Sequence, residues 1–200
     1  MTKQRKISNN SKRSPGWWVL CLVLLVALLA SGLALADEKE RRRVDISLSI
    51  FPRIVAVDNH FRDKLGEDEI VRLFFLYDKD RENAEDLAQR MNKGAQGIGG
   101  REVLAVAVSV DQAVLVDEDT LPMAIFITEH LGDARLLRVM LFAEKYNRLV
   151  FSPFSGDVER GVTVGISVTN RVKPYFNIHA LQRSKIVINA LLMKMSRRYE

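Results

Sequence analysis

A nearly continuous apolar run, Ile70-Val-Arg-Leu-Phe-Phe-Leu-Tyr77, most narrows the folds that this chain can adopt. Gly66 comes before it, and the charged triplet Asp78-Lys79-Asp80 follows it. A strand that is apolar on both faces must be covered on both faces, which is typical of the centre of a parallel sheet. The run therefore predicts a buried parallel strand with helices above and below the sheet.

Helical and extended patterns alternate after this run. Helices are predicted at 81–92, with Asp80 as the N-cap, and at 133–147. Further strands are predicted at 102–109, 123–128 and 148–151. We therefore predict a three-layer, Rossmann-like α/β domain with a mostly parallel sheet.

The segment before the first strand carries two conflicting patterns. Apolar residues between Ile46 and Phe61 recur at helical spacing, whereas residues 44–50 alternate as in a strand and Pro52 opposes an uninterrupted helix. A helix that begins near Phe51, after an extended lead-in, satisfies both patterns.

The C-terminal segment departs from the alternation of strand and helix. Residues 162–168 alternate, Asn170-Arg171 offers a turn, and Val172 to Ile178 returns, which predicts an antiparallel hairpin at one edge of the sheet. Asn189 is expected to cap a final helix that runs through Arg198. Its predicted buried stripe is Leu191, Leu192, Met195 and Tyr199.

The first 36 residues have the order of a secretory signal peptide. Five cations precede the apolar run Trp17–Ala30, and Ala34-Leu35-Ala36 offers a cleavage point after Ala36. The alternative is an uncleaved anchor: fourteen helical residues span about 21 Å, short of a core of roughly 30 Å, but extension through Ala36 would reach. Either way the cations hold the N-terminus in the cytoplasm, so we expect a periplasmic domain.

Removing this leader changes the charge balance. The chain holds 30 Lys and Arg against 25 Asp and Glu, but the leader contains five of the cations and no acid. The rest is balanced, so the basic pI is no indication of nucleic-acid binding. The single cysteine, Cys21, also lies in the leader, and an apolar core must hold the domain together without disulfides. Residues 37–44 are expected to form a charged, solvated segment, and residues 45–200 are expected to form the domain.

Motifs that would carry cofactor chemistry are weak. The glycines between 94 and 100 follow a predicted helix and precede a strand, whereas a dinucleotide loop follows a strand and opens a helix. The histidines, at 60, 130 and 179, have no metal-ligand spacing. We therefore expect no cofactor, no metal and no catalytic residue.

The loop from Ser152 to Gly161 is the most unusual polar segment. Ser155, Asp157, Glu159 and Arg160 are its candidate ligand- or partner-binding residues. A serine hydrolase that uses Ser155 and Asp157 is a weaker alternative, because no nucleophile elbow or positioned base accompanies them. The other reading is a structured turn in which Arg160 pairs with a neighbouring acid.

Tyr175 and Asn177, on the predicted hairpin, complete the candidate contact residues. A strand can bury Phe176 while exposing Tyr175, and edge strands are natural docking sites. Packing in the core is the alternative for these side chains.

Three runs of the C-terminal segment resemble the YfiR-like family of periplasmic proteins. They are Gly161-Val-Thr-Val-Gly165-Ile, Val172-Lys-Pro-Tyr-Phe-Asn177-Ile and Ser184-Lys-Ile-Val-Ile-Asn-Ala-Leu-Leu192. In that family a glycine-bearing strand precedes a strand that ends in a Phe-Asn type element. By architecture the similarity covers roughly residues 45–198.

This resemblance implies a regulator rather than an enzyme. Such proteins, often dimers, bind the outer part of an inner-membrane signalling protein, in the named case a diguanylate cyclase of cyclic-di-GMP signalling. A sensor histidine kinase is an equal alternative here. The family's disulfide-linked redox behaviour does not carry over, because residues 37–200 contain no cysteine. The runner-up function is a periplasmic small-ligand-binding protein, with its ligand at the strand-end loops.

Overall fold

The computed structural model describes residue 22 and residues 38–94, 97–116 and 120–200. The predicted signal peptide thus lies outside the described residues, apart from Leu22. Contacts divide the chain after Glu40, and residues 41–200 form one compact unit. Among the described residues, no helix is long and apolar enough to cross a bilayer.

Seven strands form one sheet in the order β2-β1-β3-β4-β5-β6-β7. The first five run parallel, β6 is antiparallel to β5, and β7 runs parallel to β6. The strands are β1 (Val71–Tyr77), β2 (Val103–Ser109), β3 (Ala124–Ile127), β4 (Leu149–Phe151), β5 (Val164–Val168), β6 (Val172–Asn177) and β7 (Arg197–Tyr199). The predicted α/β domain with a mostly parallel sheet and a C-terminal antiparallel pair is confirmed.

Helices cover both faces of this sheet. They are α1 (38–55), α2 (Arg81–Gly94), α3 (Val110–Ala113), α4 (Asp133–Tyr146), α5 (Ile178–Arg183) and α6 (Ala190–Met195). A short 3₁₀ turn spans Arg62–Lys64. One apolar core joins the sheet to α1, α2 and α5, and the other joins it to α3 and α4. The strands therefore lie between two helical layers.

A row of phenylalanines fixes the middle of the first core. Phe75, Phe126 and Phe151 occupy directly paired positions on β1, β3 and β4. Neighbouring ring centroids in this row are 5.2 and 5.4 Å apart, and the rings are stacked. Phe51 of α1 lies against all three rings, at 5.3–6.3 Å. These contacts fasten α1 to three central strands at once.

The helix α1 begins earlier than the sequence indicates. Residues 38–55 are helical without an extended lead-in, and Pro52 lies within the helix. A proline there removes one backbone hydrogen bond. Burial of Phe51, Ile54 and Val55 against the sheet outweighs that loss, because packing of an apolar face supplies most of a helix's stability.

The packed unit also extends further toward the N-terminus than the predicted domain. Arg43 lies in the segment 37–44, which was expected to be solvated. It donates hydrogen bonds to the carbonyl oxygens of Pro153 and Ile166. Part of the segment expected to be a charged tail is therefore anchored to the domain.

The predicted final helix is wrong in its length and in its buried stripe. Asn189 does cap α6, accepting from the N–H of Leu191, but the helix ends at Met195, and residues 197–199 pair with β6 as β7. Leu191, Met195 and Tyr199 are exposed, whereas Leu192 and Met193 pack against the core. The predicted hairpin is therefore followed by a further strand, and β7 is the edge.

We expect Phe126→Ala to lower the free energy of unfolding by about 3–5 kcal/mol, because it empties the centre of the phenylalanine row. Leu137→Ala, on the exposed face of α4, should change it by less than about 0.5 kcal/mol. Urea unfolding followed by circular dichroism measures both. Equal effects of the two substitutions would contradict this description of the core.

Candidate functional site

The loop that follows β4 is held by its own polar side chains. Ser152 Oγ donates to the carboxylate of the buried Asp157 at 2.6 Å, and Arg160 Nη1 donates to its other oxygen at 2.7 Å. Arg160 also reaches the carbonyl oxygen of Leu131 and the carboxylate of Asp133, both through Nη2. These bonds fasten the loop to the start of α4. Asp157 therefore belongs to a structured turn in which Arg160 pairs with a neighbouring acid.

Gly165 lets this loop lie directly against β5. A Cβ atom at that position would come within 2.8 Å of the carbonyl oxygen of Ser152 and 2.9 Å of a methyl group of Val158. Only glycine permits so close an approach of two backbones. The glycine that marks the strand in the sequence thus has a packing role.

Asn177 is buried and acts inside the fold. Its Oδ1 accepts from the N–H of Ala180 as the N-cap of α5, and its Nδ2 donates to the carbonyl oxygen of Val158 at 2.7 Å. One amide therefore starts a helix and ties it to the loop after β4. The sequence does not indicate α5, so this capping role was missed.

A small groove lies beside the hairpin. Its volume is about 180 Å³, and its lining includes Ser155, Glu159, Tyr175 and Arg197. The Tyr175 hydroxyl donates to Glu159 at 3.0 Å, and the Arg197 guanidinium lies 4.7 Å above the tyrosine ring. Burial, followed by the hydrogen bond to Glu159, raises the pKa of Tyr175 above its ordinary value. The phenol therefore stays neutral and acts as a donor at physiological pH.

The six predicted contact residues thus separate into three groups. Ser155, Glu159 and Tyr175 line the groove, but Tyr175 is only 8% exposed, so the expectation that β6 exposes this side chain is wrong. Arg160 is partly exposed, but its guanidinium is used by Asp157 of the loop and Asp133 of α4. Asp157 and Asn177 are buried and bonded internally, so their contribution is to position the loop rather than to touch a partner.

The usual ligand position of this topology is filled by the chain itself. In an open sheet with the order 2-1-3-4-5, ligands bind where β1 and β3 diverge, beyond their carboxyl ends. Here one carboxylate oxygen of Glu129 accepts the N–H groups of Asp78, Lys79 and Asp80, at 2.7–2.8 Å. Those three N–H groups form the kind of cradle that elsewhere binds phosphate.

The protonation of Glu129 reflects this cradle. Burial acts to raise the pKa of its carboxyl group, but the three backbone hydrogen bonds outweigh burial and lower the pKa below the ordinary 4.5. The positive charge of Lys79 also lowers this pKa. The carboxylate is therefore charged at neutral pH and occupies the cradle as an internal anion.

A larger cavity opens at the other end of the central strands, beside the amino ends of β1, β3 and β4. It encloses about 430 Å³. Its charged lining residues are Asp63, Lys64, Glu67, Asp68, Arg72 and Arg148, and its apolar ones are Leu65, Ile70, Leu121 and Met123. None of these was singled out from the sequence, since only the fold brings the 3₁₀ turn and the strand starts together.

The end of α4 places Arg148 in this cavity. Asn147 terminates the helix in the left-handed conformation, at φ 56°, and the N–H of Arg148 donates back to the carbonyl oxygen of Ala143 at 2.8 Å. The next residue begins β4. The side chain of Arg148 is thus fixed between a helix and a central strand, and the residue is only 9% exposed.

Three buried charges meet here. Lys64 forms an ion pair with Asp58, and both side chains are less than 10% exposed. Burial lowers the pKa of Lys64 below its ordinary value, although the hydrogen bond and charge of Asp58 act to raise it. Burial also lowers the pKa of Arg148, while the charge of Asp58 raises it. Two cations therefore share one buried carboxylate.

The guanidinium of Arg148 is incompletely bonded. Its Nε and Nη1 are buried and have no hydrogen-bond partner within the described part of the chain. The carboxyl end of α4 favours a cation by roughly 0.3–1 kcal/mol. An uncompensated buried charge costs several kcal/mol, so the helix end does not account for it.

A metal site has no support among residues 38–94, 97–116 and 120–200. No group of three His, Cys, Asp or Glu side chains there could hold a metal ion. His60 bonds with Asp63 at 3.2 Å, and His130 packs on Phe154 with the ring centroids 4.2 Å apart.

The sequence matches no protein-family model and no curated protein. Among solved structures, it is similar to a conserved domain protein from Vibrio cholerae O1 biovar eltor, with a TM-score of 0.48, 12% identity, and coverage of 65% of this chain and 55% of that one. It is also similar to the ABC domain in complex with L-Trp from Streptococcus pneumonia, with a TM-score of 0.52, 11% identity, and coverage of 76% and 58%. The chain thus spans less than two thirds of either protein, and the likeness concerns the fold alone.

We expect Glu129→Gln to lower the free energy of unfolding by about 1–2 kcal/mol at pH 7, because charge-assisted hydrogen bonds are roughly twice as strong as neutral ones. A carboxylate whose pKa is lowered on folding stabilises the fold at pH values above its pKa in the unfolded chain. This contribution is lost as the pH falls through its pKa in the folded chain. The difference between wild type and variant should therefore shrink as the pH falls below about 4.5.

Glu85→Gln is the matched control, since Glu85 pairs with Arg81 on an exposed helix face and should cost at most about 0.5 kcal/mol. Denaturant unfolding between pH 3 and 8 measures both variants. A difference for Glu129→Gln that stayed constant with pH would refute the internal-anion assignment.

Proposed function

We propose that the chain is an exported, non-catalytic regulatory domain that binds the outer part of an inner-membrane signalling protein. The partner is a diguanylate cyclase or a sensor histidine kinase, whose output the domain modulates. The export signal of residues 1–36 and the resemblance of the C-terminal runs to the YfiR-like family motivate this assignment, and both stay predictions.

The observation that carries the proposal is a set of exposed apolar side chains on the hairpin, on α6 and on the edge strand β7. Five side chains there are 36–66% exposed: Val168, Val172, Leu191, Met195 and Tyr199. All three residues of the edge strand β7 are exposed as well. Exposed apolar residues beside an open strand edge are typical of a protein contact surface. We call these five residues and β7 the docking face.

The groove beside the hairpin adds polar recognition to this face. Arg197 belongs to β7 and also lines the groove with Glu159 and Tyr175. A partner that covers the edge strand would therefore meet a carboxylate, a phenol and a guanidinium. Polar groups around an apolar centre are the usual composition of an interface.

We expect Leu191→Ser combined with Met195→Ser to abolish crosslinking of the domain to its signalling partner in native membranes and to change that partner's output. The partner is identified by mass spectrometry, and its output is read as the cyclic-di-GMP level or as kinase phosphorylation. Both side chains are exposed, so the melting temperature should stay within a few degrees of wild type.

The matched control is Leu137→Ser combined with Leu141→Ser, which removes two equally exposed leucines from α4. It should crosslink as wild type does. Equal crosslinking of both double variants would reject the docking face, and recovery of no membrane cyclase or kinase by the wild-type protein would reject the regulatory proposal.

A second candidate function is binding of a small molecule outside the cytoplasm. The cavity that contains Arg148 favours it, because its volume falls within the range of ligand sites, roughly 300–1,000 Å³. The similar domain from Streptococcus pneumonia was solved in complex with L-Trp. This candidate uses the amino ends of the central strands, whereas the docking face includes the edge strand β7, so the two can be tested separately.

A further inference from the structure

We propose that the cavity at the amino ends of β1, β3 and β4 binds a small organic monoanion, a carboxylate attached to an apolar group. Arg148 would hold the carboxylate. The inference deepens the second candidate function, small-molecule binding, on which it rests, and it is independent of the docking face.

Unused donors are the first argument. Nε and Nη1 of Arg148 are buried and lack a hydrogen-bond partner in the described residues, although the side chain lines a cavity with room for a ligand. Buried donors in folded proteins almost always have a partner. A ligand oxygen supplies one when the guanidinium turns its buried edge toward the cavity.

The second argument is charge. Asp58 already accepts from Lys64 and from the N–H of His60, and its single negative charge cannot balance both Lys64 and Arg148. The buried cluster of Asp58, Lys64 and Arg148 therefore has one positive charge in excess. Bound water could complete hydrogen bonds, but it carries no charge, whereas a carboxylate completes the bonds and balances the cluster.

The remaining lining selects the kind of anion. Asp63, Glu67 and Asp68 also border the cavity, and Arg72 is used by Asp68, with Nη1 and Oδ1 3.0 Å apart. A multiply charged anion such as phosphate would meet these carboxylates. A single negative charge on Arg148 avoids that repulsion.

Apolar side chains account for the rest of the ligand. Leu65, Ile70, Leu121 and Met123 line the same cavity. They offer contact to an alkyl or aryl group, and burial of such a group provides most of the binding free energy in small-molecule sites. Acetate would therefore bind less tightly than a longer monocarboxylate.

Calorimetric titration and thermal unfolding of the full chain, purified in a mild detergent, test this site. The probes are sodium hexanoate, sodium acetate, inorganic phosphate and hexanamide, which has the shape of hexanoate without its charge. We expect hexanoate to bind and raise the melting temperature, acetate to bind more weakly, and phosphate and hexanamide to have no effect.

The diagnostic variant is Arg148→Met, which keeps much of the side-chain volume and removes the charge. We expect a loss of hexanoate affinity of about ten- to a hundredfold. Without ligand its melting temperature should equal or exceed that of the wild type, because an uncompensated buried charge is removed. Arg148→Lys, which keeps the charge but not the planar donors, should bind hexanoate with intermediate affinity.

The matched control is Arg183→Met, since Arg183 forms a surface ion pair with Glu144. It should bind hexanoate as the wild type does. If hexanoate bound equally well to Arg148→Met, small-molecule binding would stand and the assignment to Arg148 would be overturned. If phosphate bound more tightly than hexanoate, the monocarboxylate class would be overturned, and if no probe bound, the inference would be overturned while binding of another kind of small molecule would stand.

Discussion

The aromatic contact between α1 and the middle of the sheet is the constraint on which the rest of the domain depends. Phe75, Phe126 and Phe151 occupy paired positions on three neighbouring strands, and Phe51 closes over them. A shift of one residue in any strand would turn its phenylalanine to the opposite face, so the row fixes the register of β1, β3 and β4 together. That register sets where each of these strands starts, and it thereby brings Arg148, Arg72 and Met123 to one cavity.

The centre of the fold could be predicted because its signals are local. A strand buried on both faces is visible in the run from Ile70 to Tyr77, and Asp80 marks the start of α2 both in the sequence and in the structure. The two ends could not be predicted in the same way. Packing of Phe51 overrides Pro52 in α1, and pairing with β6 turns residues 197–199 from a predicted helix into a strand. Local propensity favoured the wrong structure where tertiary contacts decide the outcome.

The candidate surface was predicted only in part, for a related reason. Polarity and turn residues drew attention to the loop after β4, and Ser155, Glu159 and Tyr175 do line a groove there. Nothing in the sequence distinguishes these residues from Asp157 and Asn177, whose polar groups are used inside the fold. Arg148 shows the converse, because a single arginine before a strand is unremarkable until the fold buries it beside Lys64 and Asp58.

Glu129 closes one corner of this domain to outside anions. Its carboxylate already sits on the three amides of the β1–α2 turn, so a phosphate group arriving from solution would first have to displace a tethered competitor. A tethered group is present at a high effective concentration, and a free anion competes poorly against it. The conformation of this corner is therefore insulated from anions in solution. The sites proposed for contact with other molecules lie elsewhere, at the amino ends of β1, β3 and β4 and beside β7.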